Sequence, residues 1–282
     1  MSYWVAVVAR NAAQHLPSTL YSLLHQTLKP KQLVVVDDGS NDATGEILRH
    51  YAHEYSRLVK VLTLPDRGYD IRRVPSNINL AWKSAAAAGL KTDYFMISGD
   101  DCSYPPDYSK SLISRMISKP QLVVTSGRPS SKTNVSQEHS PSGSGRMIRC
   151  SFWREVGEKY PLKAGWETWL LYKAVEKEFQ VKLFDDLNFE HLRPRGAKHQ
   201  FAYWGAAMHT LGYHPLYAIG RIAKNAIGPD IAISRSLNML RGYLLAHFAT
   251  VDTFISPFEP SLRKLVHIQQ ANRITRIAST LL

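Results

Sequence analysis

The chain is poor in cysteine, with only Cys102 and Cys150 in 282 residues, too few for a disulfide framework. No charged segment followed by an apolar one precedes the first strand-like run at Tyr3, so a secretory leader is not expected and a reducing, cytoplasmic setting is. A membrane-spanning run is also missing. Gln200–Gly220 holds 21 residues without a formal charge, but His209, Gly212, His214 and Pro215 interrupt it, which makes a poor spanning helix. Acidic residues are scarce, 23 against 35 Lys and Arg, for a net charge of +12. The shortage is concentrated in one region: His191–Leu282 carries eleven Lys/Arg and three Asp/Glu. Such an excess points to an anionic partner, whether nucleic acid, a phospholipid surface or a phosphorylated substrate. No recognition helix or aromatic RNA-binding motif occurs, so nucleic acid is not an expected partner.

What is present is an ordinary globular composition, 44% hydrophobic and 21% charged, which excludes disordered, collagen-like and coiled-coil chains. Residues 1 to about 125 alternate short apolar runs with longer helical patterns, as βα units feeding a parallel sheet do. Strands are predicted at Tyr3–Ala9, Gln32–Val36, Val59–Leu64 and Tyr94–Ile97. Helices are predicted at Leu16–His25, Thr44–Tyr55 and Ile78–Ala88. Ser126–Arg146, dominated by Ser, Gly, Pro and Asn, reads as a mobile loop, either a surface linker or an active-site lid. A strand at Met147–Phe152, a helix at Trp166–Phe179 and a strand near Val181–Phe184 follow. The reading is an α/β domain over 1–195 with a mostly parallel, Rossmann-like sheet flanked by helices, and a basic helical extension over 196–282. In the extension Tyr203, Trp204, Tyr213, Tyr217, Phe248 and Phe254 are interleaved with Arg and Lys. Two readings of that pattern stand side by side: a segment lying in a membrane interface, and a helical cap whose aromatics are core.

In open α/β sheets ligands bind beyond the carboxyl ends of the strands, which directs attention to VVVDDGSNDAT and MISGDDCSYPPDY. Asp37 and Asp38 end a buried strand; a carboxylate there can accept hydrogen bonds from a base or ribose, while an Asx turn occupies one of the two. Asp100 and Asp101 form a second pair, suited to Mg²⁺ or Mn²⁺, hard cations that take oxygen ligands and hold substrate phosphates. Between them Arg67, Arg72 and Arg73 precede a helix expected from about Ser76, and one of these guanidinium groups is expected to face a diphosphate. KAGWETWLLYKA opens a helix with Glu167 between Trp166 and Trp169. A carboxylate desolvated by indoles suits a general base; the alternative is a glutamate favoured there by the helix dipole.

The order of these motifs resembles the family 2 glycosyltransferases of GT-A fold across residues 3 to 195. The resemblance is carried by VAVVARNAAQHLPSTLYSLLHQTLKPKQLVVVDDGSNDAT, by SGDD and by the GWET helix start. It implies a nucleotide-diphospho-sugar transferase fold with Asp38 at the base and Ala9 and Arg10 beside the nucleotide. Arg73 matches an arginine near the nucleotide, Asp100 a metal-ligating aspartate, and Glu167 the acidic base. The implied reaction is inverting transfer of a sugar from a UDP- or GDP-sugar to an acceptor hydroxyl, with Mg²⁺ or Mn²⁺ at Asp100 and Asp101. Two positions depart from the pattern: Ser98 stands where the first aspartate of Asp-x-Asp is usual, and Thr168 where many relatives carry a second acidic residue. A pseudoenzyme that binds nucleotide without turnover is therefore the alternative. A sugar-phosphate nucleotidyltransferase is disfavoured, because ARNAAQHL has no glycine for its phosphate loop. The tail, FEHLRPRG followed by WGAAMHTLGYHPLYAIGRIAK, resembles the extension of a bacterial and archaeal subset linked to cell-surface polysaccharide or glycolipid assembly. It implies His191 and Arg193 approaching the donor diphosphate, a glycan or lipid-linked acceptor, and peripheral attachment to an anionic inner membrane face.

Overall fold

The computed structural model describes residues 1–130, 140–193, 200–227, 233–248 and 252–281. They gather into two compact units, Met1–Tyr160 with Lys177–Ala197, and Pro161–Glu176 with Lys198–Leu282. The helix that carries Glu167 thus groups with the C-terminal helices.

The first unit is an eight-stranded sheet in the order β3-β2-β1-β4-β7-β6-β8-β5. Its strands are β1 (Tyr3–Ala9), β2 (Leu33–Asp37), β3 (Val59–Thr63), β4 (Tyr94–Ser98), β5 (Cys102–Ser103), β6 (Leu122–Ser130), β7 (Arg146–Arg149) and β8 (Gln180–His191). β1, β2, β3 and β4 run parallel, with Ala9 beside Asp37 and Val7 beside Ser98, so the carboxyl ends of β1, β2 and β4 share one rim. The antiparallel strands β7 and β5 bring the ends of β4 and β8 alongside. Four helices cover the sheet: α1 (Leu16–Leu24), α2 (Thr44–Glu54), α3 (Val74–Ala87) and α4 (Tyr108–Ser118). Alternation within each strand sorts side chains to two faces. Tyr3, Val5 and Val7 meet Leu16, Leu20, Leu48 and Leu112 on one. On the other Trp4 and Phe95, register partners, stack 5.5 Å apart and pack against Trp82 and Trp153.

Two expectations are corrected. Met147–Phe152 is not a strand throughout: β7 stops at Arg149 and α5 (Cys150–Glu155) begins, because a short apolar run lacks a period that separates strand from helix. Ser126–Arg146 is not all loop. Its first five residues are in β6, and its last turns are tied inward by Ser142 N–H to Ser126 Oγ (2.9 Å), Arg146 Nε–H to the Ser142 carbonyl (2.9 Å) and Tyr108 O–H to the Gly145 carbonyl (2.8 Å). The polar composition that reads as solvated is here hydrogen-bonded and buried; residues 131–139, where the linker or lid would fall, lie outside the described residues.

The second unit consists of α6 (Trp166–Glu176), α7 (Phe201–Thr210), α8 (Pro215–Ile227), α9 (Ile233–Leu245) and α10 (Pro260–Leu281). A Cβ at Gly205 would stand 1.9 Å from the Met239 carbonyl oxygen, and one at Gly242 1.9 Å from that of Ala202. These two glycines let the α7 and α9 backbones touch. Around the crossing Phe201, Met208, Ala218, Ile222, Met239 and Tyr243 form the core, with Trp204 and Tyr213 packed against it. Tyr203 stacks on buried Phe254. Of the six aromatics interleaved with basic residues, Phe254 is buried, Tyr203, Trp204, Tyr213 and Tyr217 are half-buried and Phe248 is exposed, so five of them are drawn at least partly into the packing of this unit. Among the described residues no helix is long and apolar enough to cross a membrane.

Candidate active site

The rim where β1, β2 and β4 end is built around Arg10, which directly follows β1 and is 8% exposed. Its N–H donates to Asp100 Oδ2 (3.1 Å), while its guanidinium donates to the carbonyls of Asp38 and Gly39, the latter at 2.6 Å, and to Asp66 Oδ1 at 2.5 Å. One residue therefore joins the Asp38 turn, the loop after β3 and the Asp100 turn. The N–H groups that follow are also taken by side chains: Asn11 by Ser40 (3.0 Å), Ala12 by Thr44 (2.8 Å) and Ala13 by Asp42 (3.2 Å). Ala9 is itself buried; its contribution is a carbonyl that accepts the Asp38 N–H at 2.9 Å.

The two aspartates after β2 divide as the sequence allowed. Asp37 accepts Ser40 N–H (3.0 Å) and O–H (2.6 Å) through Oδ1, an Asx turn. Asp38 receives Arg73, whose Nε reaches both carboxylate oxygens at 3.1 Å and whose Nη2 lies 2.9 Å from Oδ2. The same Nη2 donates to the Gly68 carbonyl. Arg73, expected near the nucleotide, thus stands beside Asp38 and orients that carboxylate. Arg72 pairs with Asp70 on the surface at 3.0 Å. Gly39 sits at φ +72°, and a Cβ there would lie 2.5 Å from the Asp66 backbone, so only glycine fits where the two loops close on each other.

Asp100 is buried, and its other oxygen lies 3.5 Å from Arg193 Nη1. The same Nη1 lies 3.5 Å from Asp101 Oδ2, and His191 Nδ1 is 3.8 Å from Asp101 Oδ1. Burial disfavours ionised Asp101, yet His191 and Arg193 outweigh it and hold the carboxyl below the usual range. For His191 burial works against the charged ring, but hydrogen bonds to Asp101 and the Cys102 sulfur raise its pKa to about 10. Tyr69, half-exposed, stands within electrostatic reach of Arg193 and Asp100. Asp100 and Asp101 thus each place a carboxylate oxygen 3.5 Å from one guanidinium nitrogen, and oxygen donors of this kind suit a hard cation. Asp101, Cys102 and His191 could supply ligand atoms all within 4.8 Å of one another. The donor set fits a divalent ion, which would compete with Arg193 and the His191 proton for the same oxygens. Ser98 is not in it: its hydroxyl bonds the buried Tyr104 hydroxyl at 2.9 Å and the Gly99 carbonyl at 2.8 Å.

Glu167 lies in the second unit, in the first turn of α6 after Gly165, which takes φ +87°. Trp166 and Trp169 are buried but Glu167 is exposed, so the expectation that the indoles desolvate it is corrected: they turn inward with the helix's apolar face and the carboxylate turns out. Sequence reasoning missed Asp66 and Tyr69, which sit in an irregular segment without a motif. It also missed the linking role of Arg10, since nothing local marks a buried arginine.

Residues 4–179 match the model of the glycosyl transferase family 2, and the chain belongs to that family. A 63-residue stretch is 35% identical to a cholesterol galactosyltransferase of Borreliella burgdorferi, covering 22% of this chain and 17% of that one; the chain spans about a sixth of that curated relative. Among solved structures, TarS of S. aureus (residues 1–349) in complex with UDP-GlcNAc matches with a TM-score of 0.56 and 17% identity, over 89% of this chain and 73% of that one. The mannosyltransferase PcManGT from Pyrobaculum calidifontis, in complex with GDP-Man and Mn²⁺, matches with a TM-score of 0.55 and 13% identity, over 99% and 79%. At these identities the likeness establishes the fold, a GT-A glycosyltransferase fold with helices at the C-terminus.

Proposed function

We infer that the chain transfers a sugar from a nucleotide-diphosphate sugar to an acceptor hydroxyl, with inversion. The observation that carries this reading is the junction at Arg10: one residue holds the Asp38 turn by its guanidinium and Asp100 by its N–H. Asp38 and Asp100 are thereby held on one rim, which supports a nucleoside contact at the first and a phosphate-side contact at the second. Solved relatives that hold UDP-GlcNAc, or GDP-Man with Mn²⁺, support a donor of this class.

In this reading Asp38, oriented by Arg73, accepts hydrogen bonds from the nucleoside, and Ala9 and Arg10 form the floor beside it. Asp100 and Asp101 hold Mg²⁺ or Mn²⁺, which when bound neutralises charge on the leaving diphosphate. Arg193 and the His191 imidazolium, released from the carboxylates, face the phosphates. Glu167, exposed, takes the acceptor proton as the hydroxyl attacks the anomeric carbon opposite the diphosphate. The acceptor is a glycan or a lipid-linked glycan, and the product feeds cell-surface polysaccharide or glycolipid assembly.

Release of UDP or GDP from sugar donors, measured with Mn²⁺, tests the assignment. Glu167→Gln is expected to lower turnover by about 10² or more, since a positioned base contributes at least that much, without lowering thermal stability. Near-wild-type turnover in Glu167→Gln would remove the base from this role. Nucleotide binding without turnover in the parent chain would favour the pseudoenzyme instead.

A further inference from the structure

The second unit leaves apolar side chains in solvent along two neighbouring helices. On α8 Leu216 is 64% exposed and Ile219 55%, and Ala223 continues the same face at helical spacing. On α9 Ile233 is 66% exposed, Leu237 61% and Leu244 51%, again one stripe. The stripes meet at a shallow cavity of about 160 Å³ between Ile219 and Ala223 of α8 and Leu237 and Leu240 of α9. Single exposed leucines need no explanation, but a contiguous aliphatic face on a hairpin of helices does. Lys224 stands exposed on α8 and Arg241 beside the stripe of α9, whereas α7, α8 and α9 contain no acidic residue.

We propose that the α8–α9 hairpin is a membrane-docking surface: its aliphatic stripe enters the interface of a bilayer, and Lys224 and Arg241 meet anionic phospholipid headgroups. Cations flanking an aliphatic face match the two attractions that hold an interfacial helix, apolar burial and headgroup charge. A protein partner or a second copy would have to supply acidic groups against these cations, and α8 and α9 themselves carry none. The inference rests on the second unit alone and does not depend on the transferase reading.

Flotation of the full chain with large unilamellar vesicles, without any sugar donor, tests it. Binding is expected to vesicles of phosphatidylcholine with about a third phosphatidylglycerol, and to weaken strongly with phosphatidylcholine alone. The double variant Ile219→Gln/Leu237→Gln changes only exposed positions, so an unchanged melting curve is expected together with binding weaker by roughly tenfold or more. Lys224→Glu/Arg241→Glu is expected to remove the preference for the anionic vesicles. The proposal is overturned if the parent chain floats with neither vesicle, or if the Gln variant binds as the parent does. It is also overturned if, without lipid, the chain is a dimer that the Gln variant dissociates and no vesicle binding occurs, which would assign the face to a second copy.

Discussion

In the first unit Arg10, Asp37, Asp38, Asp100 and Arg146 are all buried, while among the described residues of the second unit the buried polar side chains are Thr210, Ser236 and Gln270, none of them charged. The second unit instead leaves none of its described cations fully buried and closes its core with aromatics, small residues and the Gly205–Gly242 crossing. Burying an ion is costly unless partners repay the lost hydration, and apolar packing is often the more stable alternative. A fold that needed only stability could have used the second solution twice. That the charges are concentrated on one rim of one sheet is what marks the rim as a place where chemistry is arranged.

The sharpest way to break this contrast is to remove one partner from the rim. Asp38→Ala leaves the Arg73 guanidinium without its carboxylate, and a loss of about 3 kcal/mol is expected from denaturant unfolding, together with loss of nucleotide binding. An exposed charge of the second unit such as Lys224→Ala should change stability by less than about 0.5 kcal/mol. Equal effects at the two positions would erase the contrast. Next in size is Gly39→Ala, which adds a methyl 2.5 Å from the Asp66 backbone at a φ of +72°. About 2 kcal/mol of destabilisation is expected, read as a lower melting temperature.

The smallest effect concerns pH and has opposite sign in the two units. His191, raised to about 10 from 6.5, contributes stability that is complete below pH 6.5 and is lost as pH rises through about 10. His209 is pushed down to about 4 from 6.5, by burial first and then by His247 and Arg263. The unfolded chain therefore takes up a proton at His209 before the folded chain does, and stability falls as pH drops from about 6.5 to about 4. Between pH 7.5 and 5, His209→Gln should flatten the acid-side decline in melting temperature, whereas His191→Gln should reduce stability at neutral pH and flatten the alkaline side.

The parallel half of the fold was legible because its signal is strong and local. Tyr3–Ala9 is a strand with the bounds expected, and the other three expected strands fall within a residue of their positions, since fully buried parallel strands read as continuous apolar runs. Legibility ended where tertiary context decides. MIRCSFW turns from β7 into α5, and the polarity of SPSGSGR hides hydrogen bonds that only the closed structure reveals. For the site, the paired aspartates after β2 and β4 announce themselves by position. The division of labour between Asp37 and Asp38 does not, nor does Arg73 closing on Asp38, because each depends on loops meeting across distant parts of the chain. The aromatics of the second unit left two readings open for a related reason: residues such as Tyr203 and Phe254 suit an interface and a core equally, and burial alone separates them.

The most direct test of the account is the melting temperature of the purified chain with UDP and with GDP, each with and without Mn²⁺. One nucleotide is expected to raise it by about 5 °C or more at a hundredfold excess over its Kd, further with Mn²⁺, and not at all in Asp38→Ala. A parent chain whose melting temperature neither nucleotide moves, with or without the ion, would contradict the assignment of this rim as the donor site.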